Sequence, residues 1–143
     1  MARTRVPLPA AVLGAAGLLP FVVGAVAAHG LMPGISNPFT GVLILQTYGA
    51  AILAFMGGCL WGFAAQAGRA GWLALAMAVM PGLWAFGSNF AADALEALFA
   101  GFVVLLLLDA ALVGQGLGPA WWLRLRLPLS AGVLICLGAG MLA

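Results

Sequence analysis

Charge is the scarcest property of this sequence, and lysine is absent from it altogether. Charged residues make up 6% of the 143 residues, whereas a soluble domain carries about 25% because it needs a solvated surface. The net charge of +2 comes from five scattered arginines, which excludes the dense basic surface that nucleic acids require. With 66% hydrophobic residues, the chain must have lipid as its main solvent.

The motifs of the common enzyme classes are also missing. The sequence contains no phosphate-binding loop, no nucleophile elbow, no HExxH and no CxxC motif. Its two cysteines, Cys59 and Cys136, both lie inside apolar segments. They are interpreted as packing residues and not as a disulfide or a metal pair. We therefore expect neither an enzyme nor a bound metal or other cofactor.

Long apolar stretches define the fold class. No stretch alternates as a transmembrane β-barrel requires, so the sequence predicts an all-α, polytopic membrane helix bundle in one domain over residues 1–143. The five predicted spans are long enough to cross a membrane or nearly so and cover residues of about 7–28, 42–65, 72–86, 91–113 and 128–142. The first could imitate a secretory signal peptide, but its apolar run is long for one.

Proline, glycine and small polar residues predict where these spans bend and end. Pro20 should kink the first span, and Pro81 with Gly82 should interrupt the third. The proline- and glycine-rich segment 29–41 predicts a loop. Ser88 or Asn89 can cap the fourth span, and Pro128 fits the first turn of the fifth.

The charges predict how the chain is threaded. Five spans with a cytoplasmic N-terminus place every arginine on the cytoplasmic side, as the positive-inside rule requires. Asp93 and Glu96 then lie outside, near the start of the fourth span, where the helix dipole favours negative charge. The C-terminus is predicted to lie outside as well.

Small residues form two stripes on the predicted helices. The stripe of the second span lies within the segment 48–62 (YGAAILAFMGGCLWG) and consists of Ala50, Ala54, Gly58 and Gly62, with Gly57 beside it. The stripe of the fifth span consists of Gly132, Cys136 and Gly140. Small residues at this spacing let another helix backbone come close, which holds helices together in lipid. Both stripes are predicted to be helix-packing faces.

Asp109 follows four leucines inside the fourth span, where a carboxylate is costly unless it is paired or hydrated. One interpretation is a proton or cation site. The other is an ion pair with Arg124, Arg126 or Arg69, which the predicted threading places on the same side. We favour the ion pair, because two arginines follow nearby and no second intramembrane acid exists to form a relay.

The remaining polar candidates have plain structural explanations. Asp93 and Glu96 share one helix face and could bind a divalent cation or serve as acid and base, but no third ligand is apparent. His29 could be an axial haem ligand or a proton-responsive group, but it is the only histidine, and we favour an interfacial residue with no special role. Trp121 and Trp122, beside two arginines, could form a patch that binds lipid head groups or a partner, but we favour an aromatic interfacial anchor, which is compatible with such a patch.

Two of these segments resemble a known family. The segments 48–62 and 119–130 (PAWWLRLRLPLS), together with 17–21 (GLLPF), are similar to motifs of the bacterial family called domain of unknown function 3429. That family is related to the mitochondrial transmembrane protein 69 of animals. Asp109 stands where the family often carries an acid that ends its fourth span.

The resemblance covers most of the chain but departs from the family pattern in two places. The loop 30–39 is unfamiliar, and Ala110 stands where the family has a basic residue. Without that basic residue, Arg124 or Arg126 becomes the expected partner of Asp109. The resemblance implies a small multi-pass protein of the bacterial inner membrane and implies no known activity.

The first functional hypothesis is therefore a non-enzymatic membrane protein that packs, as an accessory subunit or assembly factor, against a larger membrane complex. Its expected partners are the lipid bilayer and other membrane-protein subunits, with no nucleic acid. One alternative is a small homo-oligomeric transporter or channel with Asp109 and Gln46 lining its path. Another is a protein that binds lipid, quinone or haem in a pocket lined by Trp61, Trp72, Trp84 and Phe86.

Overall fold

The computed structural model describes residues 5–68 and 71–143 and shows an all-helical bundle. Those two ranges contain six α-helices and no β-strand. The helices are α1 Leu8–Ala16, α2 Leu19–Ala28, α3 Pro38–Gln66, α4 Trp72–Ser88, α5 Ala94–Gly114 and α6 Trp122–Met141. Arg3 and Arg69, which the predicted threading places on the cytoplasmic side, lie outside the described residues.

Four helical stretches are long and apolar enough to cross a membrane. One is Leu8–Ala28, which consists of α1 and α2 together, and the others are the helices α3, α5 and α6. The apolar helix α4 has 17 residues and spans about 25 Å, somewhat less than a hydrocarbon core of about 30 Å. Large apolar side chains such as Leu107 and Ile135 point outward, because lipid and not water surrounds the bundle. The prediction of an all-α membrane helix bundle is confirmed.

The first predicted span is divided into two helices. The break falls at Gly17, because Pro20 has no N–H to donate to the carbonyl four residues earlier. The Tyr48 hydroxyl of α3 donates a 3.0 Å hydrogen bond to the Gly17 carbonyl. The Tyr48 ring also packs edge-on against Phe21, with ring centroids 5.0 Å apart. A side chain of α3 therefore holds both sides of the break.

Helix α3 begins at Pro38, earlier than the predicted residue 42. The Asn37 side chain accepts a 3.0 Å hydrogen bond from the backbone N–H of Phe39 and so caps the helix. Pro38 lies in the first turn, where its missing N–H leaves no helical hydrogen bond unmade. A proline predicted to break the chain therefore starts a helix.

Pro81 does not interrupt α4, which runs continuously from Trp72 to Ser88. The proline is buried where α4 packs on α3. A Cβ atom added at Gly57 of α3 would lie 2.9 Å from the Ala78 carbonyl oxygen and 3.2 Å from the Pro81 Cβ. This close backbone approach keeps the proline-containing turn helical, since neighbouring helices can stabilise such a turn in a membrane.

The two residues predicted to cap α5 stabilise the end of α4 instead. Ser88 Oγ donates a 2.8 Å hydrogen bond to the Ala85 carbonyl, and Asn89 Nδ2 donates to the same oxygen at 2.9 Å. The last carbonyls of a helix lack backbone donors, and these side chains supply them. Helix α5 begins only at Ala94.

Helix α6 begins at Trp122, well before the predicted start at residue 128. Pro128 therefore lies inside the helix and not in its first turn. The turns that precede the proline stay helical because Trp122 and Arg126 are buried against α5. That contact is long-range and is invisible in the local pattern of prolines.

The core lies where α2, α3, α5 and α6 meet, and α4 contributes two buried alanines to it. Its largest fully buried apolar side chains are Phe21, Phe102, Leu45, Leu53, Leu60, Leu98, Leu105 and Leu137. Gly41 of α3 lies against the Ala28 backbone of α2 so closely that a Cβ atom there would overlap it. With this packing, the last turns of α5 face the first turns of α6, where the buried charges lie.

Candidate functional site

Buried polar side chains are few in the described residues. They are Ser88, Asp109, Arg126 and Ser130. Three of the four lie on α5 and α6, and two of these carry charge. In an apolar bundle, a buried charge demands a specific partner, so this region is the candidate site.

Asp109 is 1% exposed, and both of its carboxylate oxygens accept hydrogen bonds. Trp122 Nε1 donates to Oδ1 at 2.6 Å, and Arg126 Nε donates to Oδ2 at 2.8 Å. The Arg126 side chain is itself only 5% exposed. Each charge is stable at this depth only because the other one neutralises it. We refer to Asp109, Trp122 and Arg126 as the Asp109 cluster.

The local sequence explains how the Asp109 cluster forms. Trp122 and Arg126 are four residues apart on α6 and therefore share one face of that helix. Gly116 and Gly118, in the loop before α6, have positive φ angles of 74° and 122°, which glycine adopts without strain. The loop turns the chain back, so that this face of α6 meets Asp109 on α5.

Of the three arginines predicted as partners of Asp109, the structure pairs it with Arg126. Arg124 is exposed, two residues earlier on the same helix, and Arg69 lies outside the described residues. A carboxylate with both oxygens engaged by α6 is arranged to join two helices. Each of its two oxygens already accepts one hydrogen bond from α6.

The predicted pair of interfacial anchors separates in the structure. Trp122 is buried, and its ring packs edge-on against Phe63 of α3 with centroids 4.8 Å apart. Its indole N–H is engaged by Asp109, so Trp122 faces the interior and not the lipid interface. Trp121 is half-buried, with its ring centroid 6.0 Å from that of Trp122.

A slot of about 360 Å³ opens beside the Asp109 cluster, between α1, α3 and α6. We call it the Arg126 slot, and its walls include Gly14, Met56, Cys59, Arg126, Leu129 and Val133. Arg126 is the charged residue among its lining residues, which are otherwise almost all apolar. Within the described residues, Arg126 Nη2 and Ser130 Oγ are buried without a hydrogen-bond partner. Such atoms are rare in folded proteins.

The small residues of the second predicted span divide between two sides of α3. Ala50 is buried, and Gly57 packs against α4. A Cβ atom added at Gly58 or Gly62 would meet no atom within 4 Å. We call the exposed surface that is formed by Ala54, Phe55, Gly58, Trp61 and Gly62 the outer face of α3.

The stripe of the fifth predicted span faces the interior of the bundle. A Cβ atom at Gly132 would lie 2.9 Å from Leu18, and one at Gly140 would overlap Leu45. Cys136, between them, is buried. These three positions therefore face neighbouring parts of the same chain and leave no surface for a partner helix.

The other polar candidates do not converge on a site. His29 Nε2 lies 2.9 Å from the Ala139 carbonyl oxygen and joins the ends of α2 and α6. Asp93 and Glu96 are exposed. No group of three His, Cys, Asp or Glu side chains that could hold a metal occurs in residues 5–68 and 71–143.

The aromatic residues suggested as a pocket lining are dispersed. Trp61, Trp72, Trp84 and Phe86 are all exposed, and none of them lines the Arg126 slot. The indole N–H of Trp84 donates a 2.6 Å hydrogen bond to the Ala97 carbonyl, which ties α4 to α5. These aromatics therefore do not support the predicted ligand pocket.

Sequence reasoning missed the Arg126 slot and the role of Trp122. One signal was present: Trp122, Arg126 and Ser130 recur every four residues and so lie along one helix face. Because α6 was predicted to begin at residue 128, two of these three residues lay outside the predicted helix, and the spacing was not interpreted as a shared helix face. An earlier helix start would have placed an arginine and a tryptophan side by side, facing one carboxylate.

Comparison with known proteins gives one match. A family model described as "Protein of unknown function (DUF3429)" matches residues 6–142. No curated protein and no solved structure matches the chain. The matched range contains all six helices, the Asp109 cluster and the outer face of α3.

Proposed function

We propose that this chain, which belongs to the family of proteins of unknown function DUF3429, is a non-enzymatic accessory or assembly component of a larger membrane complex. A transmembrane helix of another membrane protein would dock on the outer face of α3. The observation that carries this proposal is the exposure of three small residues, Ala54, Gly58 and Gly62, at four-residue spacing on a membrane-spanning helix.

The outer face of α3 has the shape that a docked helix needs. Its small residues form the base of a shallow groove. The side chains of Phe55 and Trp61, which are 63% and 45% exposed, flank this groove. A groove base without large side chains lets two helix backbones approach closely and gain van der Waals contact. In lipid, where apolar burial provides no driving force between helices, this contact is a main source of association.

The two exposed glycines have no explanation inside the chain. Glycine in a helix is less favourable than alanine by about 1 kcal/mol, and other helical glycines here, such as Gly57 and Gly101, lie against neighbouring helices. A Cβ atom at Gly58 or Gly62 would meet no atom within 4 Å, as is also the case at Gly87 of α4. A partner helix would supply the close approach that justifies a glycine at each position.

The proposal includes an orientation in the bacterial inner membrane, with the N-terminus cytoplasmic, the C-terminus outside and α4 as a short fifth crossing. Arg5 precedes α1, and Arg124 lies in the first turn of α6, which packs beside α1. Asp93 and Glu96 lie at the start of α5, at the opposite end of the bundle. This separation of charge supports the orientation through the positive-inside rule.

The transporter alternative has less support. It needs Asp109 to meet an ion or a proton, but this carboxylate is buried and its two oxygens already accept hydrogen bonds from α6. A second intramembrane acid is absent from the sequence. We therefore rank the accessory role above it.

Extraction of the tagged full-length protein from its native membrane in a gentle detergent, followed by mass spectrometry, tests the accessory role. We expect recovery of a membrane-protein partner in a fixed ratio. The double variant Gly58→Leu with Gly62→Leu should lose that partner and remain folded, because the added side chains meet no internal atom. Gly87→Leu is the matched control, since this exposed glycine of α4 has equally open surroundings, and it should retain the partner.

A photo-crosslinking amino acid in place of Gly62 identifies what lies on the outer face of α3. Attachment to a transmembrane segment of the recovered partner would support the proposal. Attachment to a second copy of this chain, with recovery as a uniform homo-oligomer, would contradict it and favour the transporter alternative. Full partner recovery by the double variant would show that docking does not use this face.

A further inference from the structure

We infer that the Arg126 slot binds a neutral, lipid-soluble molecule that carries a carbonyl oxygen at one end of a hydrocarbon body. The carbonyl accepts a hydrogen bond from Nη2 of Arg126, and the hydrocarbon lies along the apolar walls of the slot. Of the residues that form the outer face of α3, Phe55 alone also lines this slot, and the inference does not rest on the proposed function.

The polar end of the slot is a fixed donor without an acceptor. Arg126 is held by its Nε, which donates to Asp109 at 2.8 Å, so its guanidinium cannot turn away. Its Nη2 is buried and has no partner among the described residues. A guanidinium has only donors, and a buried donor left unpaired is costly. A ligand oxygen would remove that cost.

The charge of the Asp109 cluster selects a neutral acceptor. Asp109 already balances the positive charge of Arg126. An anionic ligand would add an uncompensated negative charge at this buried site. A cationic ligand would lie beside the positively charged guanidinium and be repelled by it. A carbonyl oxygen accepts a hydrogen bond from a charged donor without adding charge.

The apolar walls of the slot extend away from Arg126. On α6 they continue through Leu129 to Val133, about 10 Å along the helix axis. On the antiparallel helix α3 they continue from Cys59 to Ile52. The volume of about 360 Å³ lies in the range of about 300–1,000 Å³ that small-molecule sites occupy.

The slot is reached from the membrane. Leu13 of α1 and Phe55 of α3 both line it and are 72% and 63% exposed on the surface that faces lipid. A molecule already dissolved in the bilayer can therefore enter sideways. Two kinds of membrane component share the required chemistry: an isoprenoid quinone, through a ring carbonyl, and an acyl ester of a glycerolipid.

Binding is measured on the full-length protein in nanodiscs of ether-linked phosphatidylcholine, which contains no ester carbonyl. One arm adds ubiquinone-2, and the other adds dioleoylglycerol. The probe retained on washed, immobilised nanodiscs is quantified by mass spectrometry. We expect saturation at one molecule per chain, with ubiquinone-2 if the natural ligand is a quinone and with dioleoylglycerol if it is an acyl ester.

Two variants connect the binding to the slot. Arg126→Lys keeps a positive charge beside Asp109 but removes Nη2, and we expect binding to weaken about tenfold, as for one hydrogen bond to a charged group. Ala10→Phe fills the slot from α1, replaces no residue of the Asp109 cluster and should abolish saturable binding. Ala15→Phe, at an exposed position of α1 that does not line the slot, is the matched control and should bind normally.

Saturable binding of neither probe would overturn the inference, and so would binding that survives Ala10→Phe. Because Arg126→Lys alters a buried ion pair, gel filtration must show that it is monodisperse. If it is not, the comparison of Ala10→Phe with Ala15→Phe decides alone. The double variant Gly58→Leu with Gly62→Leu should bind the probe normally, which separates failure of this inference from failure of the proposed docking function.

Discussion

Arg126 and Asp109 form a buried ion pair: Nε lies 2.8 Å from Oδ2, and the two side chains are 5% and 1% exposed. The pair joins α5 to α6 at the end of the bundle where both arginines of α6 lie. Removing one partner of a buried pair leaves the other charge uncompensated, which costs more than the pair itself contributes. The stability of the bundle should therefore depend strongly on both residues.

Asp109→Asn should destabilise the protein by about 3–5 kcal/mol, because it keeps the shape of the side chain but leaves the charge of Arg126 unbalanced. Unfolding by sodium dodecyl sulfate in mixed micelles, followed by circular dichroism, measures the change. Asp93→Asn is the control, since Asp93 is exposed, and it should shift stability by less than about 0.5 kcal/mol. Equal stability of Asp109→Asn and the parent protein would contradict the ion pair.

The same pair should behave as one unit when both charges are removed. The double variant Asp109→Leu with Arg126→Met should be more stable than either single variant, because no unpaired charge remains, although the Trp122 indole N–H loses its acceptor in both variants that lack Asp109. We expect a coupling energy of about 0.5–3 kcal/mol in the double-mutant cycle, from the same unfolding measurement. Strictly additive costs would show that the two side chains do not interact.

Trp122→Phe should cost about 1.5–3 kcal/mol, the usual contribution of a hydrogen bond to a charged group. The variant removes the indole N–H that donates to Asp109 at 2.6 Å and keeps a ring that can pack against Phe63. Trp121→Phe, at the neighbouring half-buried position, should cost much less in the same assay. A larger effect at Trp121 would mean that the tryptophan pair acts at the membrane interface.

Substitution by alanine should lower the stability of the protein at one of two adjacent glycines of α3 and not at the other. At Gly57 the new methyl group would lie 2.9 Å from the Ala78 backbone oxygen, and overpacking of this kind costs about 1–3 kcal/mol. At Gly58 it would meet nothing within 4 Å, and the gain in helix propensity is at most about 1 kcal/mol. Unfolding of the isolated protein in detergent should therefore show loss at Gly57 and no loss at Gly58.

Tyr48→Phe should destabilise the bundle by about 1 kcal/mol, since it removes one neutral hydrogen bond and keeps the ring contact with Phe21. The lost bond is the one to the Gly17 carbonyl at the break between α1 and α2. Thr47→Val is a suitable control, because the Thr47 hydroxyl bonds only to Leu43 of its own helix and lies on the exposed side. Equal unfolding curves for the two variants would show that the hydrogen bond from Tyr48 to Gly17 does not contribute to the stability of the bundle.

Local rules predicted some features of the chain and failed at others. Pro20 divides the first span, as proline chemistry requires. Pro81 and Pro128 lie inside continuous helices, because Gly57 of α3 in one case and the Asp109 cluster in the other hold the helical turns from outside. A proline removes the same N–H everywhere, but neighbouring helices decide whether the helix breaks.

The two stripes of small residues show the same limit. Both have the spacing that permits close helix contact, and the sequence cannot distinguish between them. In the structure, Gly132 and Gly140 lie against other helices of the chain, while Gly58 and Gly62 face outward. Spacing along a helix indicates which residues share a face, but the rotation of that helix in the bundle decides what the face meets.

The sequence by itself determined that the chain resides in lipid, that it is helical and which family it belongs to. Transfer into lipid depends on composition and on the length of apolar runs, and neither quantity needs any tertiary contact. Only the tertiary structure decided that Arg126 pairs with Asp109, that Trp122 faces inward and that a slot opens beside them. The helices are apolar on all sides, so their sequences carry no amphipathic pattern that would indicate which face is buried.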